Sequence, residues 1–367
     1  MGEVVSERNI LRSKGAGYPL VSFTVKDGVT PKTERYDREQ LVIGDTSKKL
    51  YKETRLDDIV YNPANLKFGA IARNKYGNAV FSPIYITLEA CPSVVSPAFV
   101  EMLVTRRDFI NRALKYQQGT VYERMAVSVE DLVKMNIRVP SLPEQRRIGG
   151  FFSTLDSLIA AAERQEALLK QKKQAYLQLM FPREGETEPQ LRLAGFSGEW
   201  EMRRFGEIFQ YERPDAYLAG DDEIEDEGAI PVLTANKAFI LGYTNSLQGI
   251  YQKGRCIIFD DFTLDSKRVE QPFKVRSSAI KILTVRENMD FDFAFELLRT
   301  SKFPVLGHAR HYITVVQPQA TLIPHFLQEQ QRIGRFFRNF DSLIAAAEKR
   351  AASLRALKSA YLQRMFV

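Results

Sequence analysis

Apolar positions along the chain follow a helical period in two long stretches. From Ile148 they recur at three- and four-residue spacing through Phe151, Phe152, Leu155, Leu158, Ile159 and Ala162, then Leu169, Tyr176 and Met180. Such spacing lays them in one stripe on a helix. No glycine or proline interrupts residues 151–181, and Pro182 closes the segment. The stripe returns through Ile333, Phe336, Phe337, Phe340, Leu343, Ile344, Ala347, Leu354, Tyr361 and Met365. Between these stretches, runs of β-branched and aromatic residues at 57–62, 78–88, 256–260 and 278–285 predict strands. Residues 97–116 and 292–302 predict helices, and the polar stretch 183–190 predicts a linker. The fold class expected is α+β, with two small α/β domains joined by two long helices.

The two helical stretches are copies of each other. Residues 144–181 and 329–366, aligned at an offset of 185, are identical at 24 of 38 positions, among them Asp156/Asp341, Glu163/Glu348 and Tyr176/Tyr361. A single apolar stripe on a helix of about 30 residues needs a cover, and the other copy supplies one as a coiled coil. Phe152, Leu155, Ile159, Ala162, Leu169 and Tyr176 are expected to face Phe337, Phe340, Ile344, Ala347, Leu354 and Tyr361. Two copies of one unit favour a pseudo-twofold axis, which makes the helices antiparallel. The runs Ala160–Ala162 and Ala345–Ala347 permit close approach, whereas Lys172-Lys173 turns the stripe polar and predicts weaker pairing there. The chain thus divides into a variable domain (1–143), a repeat helix (144–185), a second variable domain (186–328) and a second repeat helix (329–367).

Composition narrows the functions open to such a chain. Two cysteines, Cys91 and Cys256, and three histidines leave no disulfide framework and no clustered zinc site, which fits a reducing cytoplasm. No apolar run approaches the ~18 residues of a membrane span. A phosphate-binding glycine loop is lacking, so ATP hydrolysis by this chain is not expected. Asn62-Pro63-Ala64-Asn65 is only faintly like an amino-methyltransferase tetrapeptide and reads better as a strand-ending turn. Pro214-Asp215 with Asp265-Ser266-Lys267 makes a poor nuclease pattern, and the acidic run Asp221–Glu227 reads as a solvated loop. No catalytic residues and no metal site are therefore expected.

Basic and amide side chains offer a different chemistry. Net charge is +7 overall: +5 over 1–143, +2 over 144–185, −5 over 186–328 and +5 over 329–367. Asn65, Lys67, Arg73 and Lys75 in the first variable region, and Lys267 and Arg268 in the second, lie between strand candidates. Thr120, Tyr122 and Arg124, and likewise Arg310, His311 and Tyr312, precede each repeat by about twenty residues. These residue types can contact base edges and phosphates, which makes all twelve candidates for such contacts against the alternative of plain solvated surface, and basicity alone does not point to DNA.

The repeat also carries a resemblance. Ser141-Leu142-Pro143-Glu144-Gln145-Arg146-Arg147-Ile148, running into a helix, resembles the end of a target-recognition domain in type I restriction–modification specificity subunits. Gly2-Glu3-Val4 and Gly206-Glu207-Ile208, the latter preceded by Gly195-Phe196-Ser197-Gly198-Glu199-Trp200, resemble the openings of two such domains. The resemblance implies two recognition domains that each read half of a split, asymmetric target in double-stranded DNA, spaced by an antiparallel coiled coil. It implies a noncatalytic, cytoplasmic chain that recruits two adenine methyltransferase subunits and, for restriction, motor–nuclease subunits. S-adenosylmethionine and ATP would then belong to those partners, with no cofactor on this chain. The first copy lacks an equivalent of 193–204, so the chain is expected to start at the edge of its first domain. The second copy reads Leu327-Gln328-Glu329-Gln330 where the first has Leu142-Pro143-Glu144-Gln145, predicting a weaker domain–helix junction. The alternative is a coiled-coil adaptor between protein subunits, derived from such a chain with DNA reading lost.

Overall fold

The computed structural model describes residues 1–32, 49–117, 126–234, 239–304 and 311–365. Two compact units emerge, one of Met1–Ile159 with Ser353–Val367, the other of Ala160–Ala352. Both long helices contribute to both units.

The first unit holds strands β1 (Val5–Glu7), β2 (Leu11–Ser13), β3 (Val21–Thr24), β4 (Gly28–Pro31), β5 (Leu50–Thr54), β6 (Ile59–Tyr61), β7 (Ile71–Arg73), β8 (Ala79–Phe81) and β9 (Ile86–Ala90). Helices α1 (Pro97–Val104), α2 (Arg107–Leu114) and α3 (Val129–Lys134) follow, and then the long α4 (Leu142–Met180). An antiparallel four-stranded sheet has the order β1-β9-β6-β7, beside a β2-β5-β8 sheet and a β3-β4 hairpin. The run expected as one strand at 78–88 breaks into β8 and β9 around Pro83, which has no N–H for a ladder. The helix expected over 97–116 breaks as well. The Thr105 hydroxyl donates to the Glu101 carbonyl at 2.7 Å, and Arg106 turns extended (φ −69°, ψ 142°).

In the second unit come β10 (Glu201–Arg204), α5 (Phe205–Ile208), β11 (Phe209–Glu212), β12 (Ile230–Leu233), β13 (Ile240–Thr244), β14 (Cys256–Asp260), β15 (Ser266–Val269), β16 (Lys274–Val275) and β17 (Ile280–Val285). They are followed by α6 (Phe291–Thr300), β18 (Ala320–Ile323) and the second long helix, α7 (Leu327–Met365). Its four-stranded sheet runs β11-β17-β14-β15, antiparallel throughout. First strand, last strand and central hairpin thus occupy the same places as in the first unit. Register makes the match residue by residue: Ile59 pairs with Leu88 and Arg73, as Ile257 pairs with Leu283 and Arg268.

Each core joins a sheet to helices. In the first unit Ile59, Tyr61 and Leu88 pack with Phe99, Val100 and Phe109 of α1 and α2 and with Ile148, Phe152 and Leu155 of α4. In the second, Ile257, Phe259 and Leu283 share a core with Phe293 and Leu297 of α6 and with Ile333 and Phe337 of α7.

Candidate functional site

The helix pair repeats one set of contacts in each unit. In the first, Phe151 meets Tyr361 edge-on at 5.1 Å, and the Lys358 ammonium donates to Asp156 at 2.5 Å. In the second, Tyr176 meets Phe336 edge-on at 5.1 Å, and the Lys173 ammonium donates to Asp341 at 2.6 Å. The members of these pairs exchange under the 185-residue offset, as a self-complementary contact does. Positions rise along α4 as they fall along α7, so the helices run antiparallel. Phe152 and Leu155, and Phe337, are buried, with Leu354 packed on the first core. Ala162 and Ala347 turn inward, while Ala160, Ala161, Ala345 and Ala346 face out. Ile159, Leu169, Tyr176, Phe340 and Ile344 are half-buried, and Tyr361 is exposed although its ring lies against Phe151.

The seam is not weak where it turns polar. Lys173 is 7% exposed, and its ammonium also donates to Glu296 of α6 at 2.7 Å. Arg268 of β15 reaches Asp292 and Asp341, both at 2.8 Å, so helix pair and sheet domain share one ion network. Burial pushes the Glu296 carboxyl above its ordinary range, against the pull of Lys173. Breaking such a buried pair by removing one partner is costly, because the other charge is left uncompensated.

Each long helix is latched to its sheet domain by the glutamine of the repeated Glu-Gln. The buried Gln145 accepts from the backbone N–H of Ser96, the residue capping α1, at 2.9 Å, and donates to the carbonyls of Val94 and Pro140. Gln330 accepts from the N–H of Asp290, which caps α6, at 3.1 Å, and donates to the Pro324 carbonyl. Four residues on, a Cβ at Gly334 would lie 2.3 Å from the Asp290 carboxylate, so only glycine fits that crossing. The junction expected to be weaker is instead reinforced. Glu329, fully buried, takes a two-point ion pair from Arg192 at 2.8 and 2.9 Å, whereas Glu144 is exposed.

The residues singled out for DNA fall into three groups. Asn65 and Lys67 stand exposed on the turn between β6 and β7, and Lys75 is exposed with its ammonium 2.9 Å from Glu101. Lys267 lies over the Phe239 ring at 4.7 Å with its side chain a third exposed. Arg73 turns back to Glu101 and Asp57, as its counterpart Arg268 turns to α6 and α7. His311 and Tyr312 are fully buried, held by Asp261, whose carbonyl meets His311 Nδ1 and whose carboxylate accepts from the Tyr312 N–H. Arg268, His311 and Tyr312 therefore serve the interior: carboxylates hold Arg268, the Asp261 carbonyl holds His311, and the Tyr312 ring packs on Tyr211 and Phe259 with its hydroxyl buried and unpartnered. Thr120, Tyr122, Arg124 and Arg310 lie outside the described residues.

Sequence reading missed the two strand-end turns as equivalents. Asn62 Oδ1 accepts from the N–H groups of Ala64 and Asn65, and Asp260 accepts from the Phe262 N–H and the Thr263 hydroxyl. Both are Asx turns at one topological position. A shared short acceptor after a strand was the only sequence signal. Of the acidic run, Asp221 and Glu223 are engaged by Arg276 and Lys274. Among the described residues no group of His, Cys, Asp and Glu is placed to hold a metal ion.

Residues 197–356 match the family model of the type I restriction modification DNA specificity domain. Over 165 residues the chain is 39% identical to the specificity subunit of the Escherichia coli type I restriction enzyme EcoR124I/EcoR124II, which covers 42% of this chain and 40% of that protein. The chain therefore matches less than half the length of that curated relative. The fold of the whole chain is similar to the type I restriction–modification S subunit of M. genitalium, with a TM-score of 0.67 at 15% identity, covering 99% of this chain and 93% of that one. A chain solved in work on complex assembly and conformational transition of the type I R-M system is similar at TM-score 0.51 and 19% identity, covering 100% and 96%. The likeness to these two chains is one of fold, in which the duplicated sheets and the paired long helices both take part. No helix among the described residues is long and apolar enough to cross a membrane.

Proposed function

We propose that this chain is the DNA-specificity subunit of a type I restriction–modification assembly. It reads a bipartite, asymmetric target in double-stranded DNA, carries out no chemistry itself, and works in the cytoplasm. Two adenine methyltransferase subunits would bind it, joined by motor–nuclease subunits where restriction accompanies modification. S-adenosylmethionine and ATP would be held by those partners. The observation that carries the reading is the pairing of like with unlike. The seam and both glutamine latches are duplicated, while the two domains share a four-stranded sheet with matching core positions but differ in their smaller sheets and in the exposed side chains of the strand-end turns. On this reading the helix pair is the common part of the two halves, and the sheet domains carry what differs.

A spacer can be tested by lengthening it. Seven residues inserted after Arg164 and seven after Lys349, equivalent positions in the repeats, keep the facing stripe and add about 10 Å at 1.5 Å per residue. That is about three base pairs at ~3.4 Å each. The assembled complex should then methylate the same half-sites across a gap about three base pairs wider. An unchanged gap would remove the spacer from the account. The adaptor alternative would show itself as a complex that assembles normally yet binds DNA without sequence preference.

A further inference from the structure

The two units expose a phenylalanine at the same turn. Phe68, between β6 and β7, is 64% exposed, and Phe262, between β14 and β15, is 57% exposed. Both rings stand at one topological position and offer apolar contact there. What surrounds it differs. In the first unit an open cleft of about 190 Å³ is lined by Phe23, Val25, Asn65, Phe68 and Tyr85 among others. Asn65 starts the Leu66–Phe68 turn without capping it, which leaves its carboxamide on the rim, and Gly69 closes the turn at φ +86°. Lys67 and Arg107 add positive charge to that rim, the Arg107 guanidinium donating to the Lys67 carbonyl at 3.0 Å. In the second unit a small recess of about 10 Å³ next to the β14–β15 turn is lined by Phe239, Asp265 and Lys267 among others, with Phe262 outside it.

These two sets of side chains are complementary to different base pairs. An A·T pair shows adenine N6 and N7, which a carboxamide engages in two hydrogen bonds, next to the thymine methyl, which takes apolar contact. Asn65 with Phe68 and Val25 offers that combination. A G·C pair shows guanine O6 and N7, which accept from lysine, next to a cytosine amine that donates to a carboxylate. Lys267 and Asp265, 3.8 Å apart, offer that one. We propose that the turn joining the last inner strand to the edge strand of each four-stranded sheet (β6 to β7, β14 to β15) reads a base, the first unit's at an A·T pair through Asn65 and Phe68, the second's at a G·C pair through Lys267 and Asp265. The proposal rests on the DNA-specificity reading and assigns residues to it.

The test is selection from a randomised duplex library by the complex purified on the tagged full-length chain. Asn65→Ala and Phe68→Ala should each make one and the same A·T position degenerate, weaken the wild-type site about tenfold to a hundredfold, and leave the other half-site intact. Lys267→Ala should do this at a G·C position of the other half-site. Lys67→Ala should weaken all sequences alike without changing the motif, as a phosphate contact does. Because Asn65, Lys67 and Phe68 are exposed, folding is not at stake in those variants. A motif unchanged by both Asn65→Ala and Phe68→Ala, or loosened at a G·C pair, overturns the assignment while the specificity reading stands. No motif from the wild-type complex overturns both.

Discussion

Gln145 and Gln330 show what a repeated dipeptide can conceal. The Glu-Gln pair is visible as a repeat, yet nothing in its spacing says that the glutamine is buried or that it bonds a helix-capping residue some 40–50 positions away. Burial depends on which loop lies opposite, and that is a property of the folded sheet. Removing such a side chain leaves several buried groups without partners, at about 1–3 kcal/mol each. Gln330→Ala should therefore lower stability by about 2–4 kcal/mol, read from the urea midpoint of the full chain, and Gln145→Ala by a similar amount. A pH effect belongs to this scale too. Burial on β5 pushes the Glu53 carboxyl up, but hydrogen bonds from Arg12 and Arg55 outweigh it and hold the group below its ordinary 4.5. A depressed carboxylate stabilises the fold above the unfolded value, and that contribution is lost as pH falls through the folded one. Wild-type urea midpoints should consequently drop more steeply below about pH 4.5 than those of Glu53→Gln.

Among the elements, the long helices were the most legible and the loops between strands the least. Apolar spacing over ten turns has one reading, whereas Pro83 and Thr105 break their runs through a missing donor and a competing hydroxyl. Polarity misled at Lys173, where two lysines in the stripe suggested a loosened seam and the structure holds a buried ion pair. The equivalent lysine, Lys358, has a side chain 31% exposed and pairs with an exposed Asp156. The two should therefore respond differently. Lys173→Ala leaves the Glu296 charge buried and should cost about 3 kcal/mol, while Lys358→Ala should cost about 1 kcal/mol or less. Equal losses in thermal or urea unfolding would contradict the asymmetry. Leu155→Asp, which sets a charge in the first core, should cost more than Phe340→Asp, whose ring is only half-buried.

For the molecule as a whole, duplication could be read from the helices but not from the domains they carry. Strand order is fixed by which edges meet, and the two sheets match at core positions such as Ile59/Ile257 and Leu88/Leu283 while loops of different length separate those positions in sequence. The DNA candidates suffered from the same gap between composition and placement. Arg268 and His311 have the chemistry of readers and the positions of core residues, while Asn65 and Lys67 remain outside. Specificity resides in which polar groups stay exposed, and one sequence does not rank them.

The central claim is that this chain directs methylation to one split sequence. Single-molecule sequencing of adenine methylation, in cells with and without the gene and with the methyltransferase partner present, tests it most directly. The account predicts that deletion removes one gapped, asymmetric motif and that the restored gene returns it. An adenine methylation pattern that is the same in both cells would contradict it.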